Sequence, residues 1–224
     1  MEVAERRRRG CRRVRGRGKI GRVRADCESS CSTVLDKSLM GESTLHIRVL
    51  CESRGLALLL KRVSASRASV VPDLFDDVAF EAERAKMGGL LFLRSHEVLK
   101  SRSRLAEDYE AFSGAARISD IVLKNAAHMA DCSRLSRRLR AALDSLSDKN
   151  PPPIVTMKFL YLMVRDEGYA VHQDFFPKLP EAKRNLFAAA LRAPPGQMRE
   201  FSSRIESLLE SFERWTALNT DILL

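Results

Sequence analysis

The chain has 224 residues, 45% of them hydrophobic, and carries 39 Lys and Arg against 29 Asp and Glu. Residues 1–24 hold eleven of the basic residues but only Glu2 and Glu5 of the acidic ones, which leaves 28 basic against 27 acidic residues in the rest. A near-neutral body argues against a basic groove along the folded part, the absence of an apolar run of roughly 20 residues argues against a membrane span, and five cysteines behind no secretory signal fit a reducing compartment.

Residues 1–43 are rich in Arg, Gly and Ser and poor in large apolar side chains, so they are expected to be a disordered basic tail. Residues 44–72 predict a short helix (Leu45, Ile47, Val49, Leu50, Leu56, Leu58, Leu59, Leu60) followed by the Ser-rich linker Ser64 to Ser69. Beyond Pro72, Asp73 is a fitting N-cap and Asp76 and Asp77 suit a first helical turn. A helix is therefore expected to about Phe112, with Leu91, Val98, Leu105 and Phe112 at intervals of seven and Gly114 as its break.

From about Ala116 to Leu146 the residues Ile118, Val122, Met129, Cys132, Leu139, Leu143 and Leu146 form an apolar stripe at alternating steps of three and four. Asn125 lies in its seam, either fixing register against a second helix or turned to water. Pro151, Pro152 and Pro153 end that helix, and Ile154 to about Phe175 is apolar nearly all round, which predicts the centre of a bundle. A short helix over about 181–193 follows, then the corner Pro194-Pro195-Gly196. The last helix carries a second stripe of Met198, Phe201, Ile205, Leu208, Phe212 and Trp215. No stretch alternates convincingly with period two, so the expected fold class is all-α, an elongated helical bundle or coiled coil over 73–224 whose stripes seat partner helices.

Few residues suggest chemistry. Cys27, Cys31, His46 and Cys51 are possible zinc ligands at a spacing that matches no compact finger. His46, His96, His128 and His172 are far apart, and the adjacent pairs Asp76-Asp77, Glu107-Asp108 and Asp166-Glu167 read as solvated helical faces. No enzyme activity, metal or other cofactor is expected. The arginines Arg6, Arg7, Arg8, Arg9, Arg12, Arg13, Arg15 and Arg17 would bind a dense polyanion without sequence preference, since no aromatic residue accompanies them to stack a base. Importin recognition, a transit peptide, or a start that the folded protein does not need are the other readings of this segment.

Ser119-Asp120-Ile121-Val122, the stretch His128 to Cys132, Leu139-Arg140-Ala141-Ala142-Leu143, the junction Asn150 to Ile154, the residues Phe159, Tyr161 and Met163, and the corner Pro194-Pro195 before Met198, Phe201, Ile205 and Leu208 together resemble the second-subunit family of the HAUS augmin-like complex over about residues 74–224. That resemblance implies a non-catalytic helical subunit that pairs with other helical subunits in a hetero-oligomer. It further implies indirect contact with microtubules or the gamma-tubulin ring complex, at spindle and centrosome. A helical nucleic-acid or chromatin adaptor acting through the arginine-rich tail is the alternative from another class.

Overall fold

The computed structural model describes residues 27–63, 70–85 and 89–224. It overturns the all-α expectation: a closed five-stranded barrel precedes a layer of six helices. The strands are β1 (Cys27–Met40), β2 (Thr44–Cys51), β3 (Gly55–Arg62), β4 (Asp77–Arg84) and β5 (Leu91–Lys100), in the order β1-β2-β3-β5-β4. β1 closes the barrel by pairing with β2 along 32–40 and with β4 along 27–33. Neighbours are antiparallel except β3 and β5, which run parallel through Leu59 opposite Leu91 and Leu60 opposite Phe92.

The expected boundaries move accordingly. Residues 27–40 are a strand and not part of a disordered tail, 44–62 are two strands and not a helix, and the expected helix 73–112 holds β4 and β5 and reaches an α-helix only at Tyr109. Leu91 and Val98 thus lie on a strand, Leu105 in the 3-10 turn Ser103–Glu107, and only Phe112 on a helix. The period-two signal was weakened because several strands are covered on both faces. Val34, Ile47, Val49 and Leu59 fill the barrel while Leu35 and Leu50 of the same strands join the helical core. Bulges at Val34/Asp36 and Ser29/Ser32 shift the alternation within β1. In β4 the alternation is clean, with Val78, Phe80 and Ala82 inside.

The helices are α1 (Tyr109–Asn125), α2 (Cys132–Ser147), α3 (Pro152–Asp166), the single turn α4 (Val171–Asp174), α5 (Glu181–Arg192) and α6 (Ser202–Asn219). What read as one helix over 116–146 is the pair α1 and α2. Asp131 divides them by accepting the Arg134 N–H at 2.8 Å as the N-cap of α2. Gly114 is no break. It lies inside α1, where a Cβ would come within 2.9 Å of Pro152 Cβ, so its lack of a side chain lets α1 approach α3.

α3 is the centre of the layer, packed against α1, α2, α5 and α6. The stripes bury within this chain: Ile118, Val122, Leu139, Leu143, Leu146, Met198, Ile205, Leu208, Phe212 and Trp215 lie in one core, and Met129 and Phe201 pack partly buried against it. Asn125 faces neither a partner helix nor water. Its side-chain amide donates to the carbonyls of Ile121 and Leu223 and accepts the Leu223 N–H at 2.9 Å, pinning the end of the chain.

A buried ionic cluster joins barrel to helices. Arg102 donates to Asp77 of β4 at 2.8 Å, to Asp144 of α2 at 2.7 Å and to the Phe75 carbonyl at 2.6 Å, while its N–H meets Asp76 at 3.0 Å. Asp76 and Asp77, expected on a solvated helical face, are 3% and 6% exposed. Buried carboxylates persist where a cation and further donors meet them, and Thr33 supplies one more to Asp77 at 2.7 Å.

Candidate nucleic-acid interface

The outer face of β2 and β3 follows from the barrel's alternation. Because Ile47, Val49 and Leu59 point inward, His46 and Arg48 of β2 and Leu58, Leu60 and Arg62 of β3 point outward. Register sets His46 opposite Leu60, Arg48 opposite Leu58, and Thr44 opposite Arg62, while Phe92 of β5 stands beside Leu60. Between β3 and β5 runs a groove of about 400 Å³ lined by Leu60, Lys61, Arg62, Phe92, Leu93 and Arg94.

The charges on and beside this groove differ in how far they are spent. Arg48 is bound to Asp36 at 3.0 Å, and Arg94 to Glu83. Lys61 and Arg62 make no ion pair among the described residues. Burial, aided by the Lys61 charge, pushes the His96 pKa down. The β1–β2 turn, tight because Gly41 adopts φ +63, and the β4–β5 connection, where Arg84 donates to the Gly89 carbonyl at 3.3 Å, flank the strands. Two uncompensated cations beside an aromatic ring suit a ligand with an anionic backbone and flat apolar groups.

The other residues singled out from sequence lie elsewhere. The arginines Arg6 to Arg17 fall outside the described residues. Cys27 and Cys51 sit in the barrel core, Cys31 is half-buried with its thiol pKa pushed up by burial, and His46 lies on the outer face. Among the described residues no three His, Cys, Asp or Glu side chains are grouped so as to hold a metal ion. His172 bonds the Tyr161 hydroxyl at 3.1 Å. No helix of the described residues is long and apolar enough to cross a membrane. The sequence reading missed Lys61, Arg62, Phe92 and Arg94; its one available signal was the basic pair that ends the apolar run Leu56 to Leu60.

No family model and no curated protein matches this chain. The closed five-stranded barrel has the strand order of an OB barrel, an architecture in which the strand 2–3 face is open to ligands. The all-α, coiled-coil architecture expected from the sequence is overturned by the barrel.

Proposed function

We propose that this chain is a non-catalytic nucleic-acid-binding protein that holds single-stranded nucleic acid across the outer face of β2, β3 and the start of β5. The observation that carries the reading is the groove at the β3–β5 edge of the barrel, lined by Lys61, Arg62 and Phe92, where neither cation has a carboxylate partner among the described residues. A carbohydrate would find cations there with no charge to meet. A phosphodiester chain meets both cations, and one unpaired base can lie on Phe92 for about 1–3 kcal/mol. In a duplex the bases are paired and stacked on one another, so a flat aromatic platform has nothing to receive. This reading keeps the nucleic-acid half of the sequence-based alternative and moves the binding element from the arginine tail to the barrel.

The test is fluorescence anisotropy of the full chain with labelled oligothymidylate and with duplex DNA over a range of salt. Lys61→Glu with Arg62→Glu should weaken single-strand binding by about tenfold or more and lower the salt slope by roughly 1.4, the value for two lost phosphate contacts. Phe92→Ala should weaken binding without changing that slope. Unchanged affinity in the charge-reversed chain would overturn the proposal, as would equal affinity for duplex and single strand.

A further inference from the structure

In the helical layer a cleft of about 260 Å³ opens between α3 and α5, and it shares no residue with the barrel groove. Its apolar walls are Tyr161, Leu162, Ala188 and Leu191. The charged side chains around them are Lys158, Arg165 and Arg192, and no carboxylate lines the cleft. Helical spacing places them together: Lys158, Leu162 and Arg165 follow one another at steps of four and three on α3, as Ala188, Leu191 and Arg192 do at steps of three and one on α5. Tyr161 is 6% exposed, and its hydroxyl already bonds His172 Nε2 at 3.1 Å. The wall therefore holds no unmet buried dipole and offers a ligand apolar contact, while the cations offer it charge.

Like charges around one cleft repel, and the chain's own anions settle them only in part. Lys158 donates to the Ala193 carbonyl at the C-terminal end of α5, which occupies one of the three protons of its ammonium group. Burial pushes its pKa down, with no carboxylate beside it to oppose the shift. Arg192 lies in the last turn of α5, where the helix dipole favours positive charge, but it makes no ion pair among the described residues. Arg165 holds Asp166 at 3.1 Å, a carboxylate that Arg138 also engages at 3.3 Å, and its guanidinium stands 5.8 Å from the centre of the Tyr161 ring. Capping of α5 explains the position of Lys158; it leaves two of that residue's donors and the whole Arg192 fork unspent. We propose that the cleft binds a small organic acid, its carboxylate between Lys158 and Arg192 and its apolar body against Leu162, Ala188 and Leu191. Liquid water takes about 30 Å³ per molecule, so the volume holds a ligand of roughly nine non-hydrogen atoms.

Isothermal titration calorimetry of the full chain tests this without nucleic acid, so it fails separately from the barrel reading. Benzoate and octanoate carry the same head on a ring and on a chain. At least one should bind saturably, with a Kd between about 10 μM and 1 mM, and the tighter of the two assigns the shape of the body. Benzyl alcohol, which keeps the ring and lacks the charge, should bind at least about tenfold more weakly than benzoate, or not at all. Arg192→Gln removes an exposed cation that has no ion-pair partner, so the fold should stay intact while affinity for the acid falls about three- to tenfold. Lys158→Met should cost about tenfold or more, and Lys158→Arg should restore affinity to within about threefold of the parent, which separates the charge from the packing of the stem. Absence of saturable binding of either acid in the millimolar range would overturn the proposal. Equal affinity for benzoate and benzyl alcohol, or unchanged affinity in Arg192→Gln, would overturn it as well.

Discussion

Arg102 decides more than any other single residue. Its side chain is 1% exposed and serves Asp77, Asp144 and the Phe75 carbonyl together, and burial alone would lower its pKa. The hydrogen bonds and charges of Asp77 and Asp144 outweigh that burial and leave the guanidinium pKa raised. Arg102→Met removes the cation but leaves Asp77 buried, so the chain should lose about 3–5 kcal/mol in urea unfolding. Asp144 shows the same balance from the acid side: burial pushes its pKa up, while Lys100 and Arg102 hold it below the ordinary carboxylate value. A depressed folded-state pKa gives stability that is complete above the unfolded value and lost as pH falls through the folded one. The acid limb attributable to this cluster should therefore lie below about pH 4, and Asp144→Asn should flatten it. Phe75 is held by the same clasp. It adopts φ +69, a strained conformation for a bulky residue, with its N–H on the Val34 carbonyl at 2.8 Å and its ring edge-on to Phe112 in the helical core.

Among the elements, α6 shows how the stripe pattern was right about burial and wrong about what does the burying. Phe212 is fully buried and meets Phe175, Phe187 and Trp215 with ring centroids 5.1–5.8 Å apart. Phe212→Glu should therefore unfold the helical layer and not merely release a partner, seen as loss of the helical circular dichroism signal at 25 °C; a folded, monomeric variant would contradict this packing. Helix positions after Pro151 were readable because proline corners and a nearly all-apolar α3 leave few alternatives. The break at Asp131 was not, since a seven-residue beat continues across it through Met129 and Cys132, and an N-cap aspartate resembles any surface acid. The strands were hidden for two physical reasons. Leu35 and Leu50 make their strands apolar on both faces, and Asp73, Asp76 and Asp77 imitate a helix start although two of them serve Arg102. The candidate interface was legible only as far as Lys61-Arg62, because Phe92 reaches that groove through a parallel pairing some thirty residues away in sequence.

At the scale of the whole molecule, net charge was a poor guide. Residues beyond 24 are nearly neutral, which argued against a basic surface, yet the barrel carries one groove lined by Lys61, Arg62 and Arg94 and another lined by Glu28, Glu81 and Glu97. Neutral totals exclude a uniform field and say nothing about local patches. The Arg102 cluster and the shared residues Leu35, Leu50 and Phe75 give the barrel and the helical layer a common core. Cutting the chain between them would orphan buried charge on both pieces. The two layers should therefore melt together, and Trp215, the chain's one tryptophan, sits 6% exposed in the layer that does not carry the groove. Ligand bound at the barrel thus becomes a thermometer reading taken at the far layer. Saturating oligothymidylate at about 100 times its dissociation constant should stabilise the chain by about 2.7 kcal/mol and delay the fluorescence transition of Trp215 by several degrees, while an uncoupled molecule would leave that transition where it was.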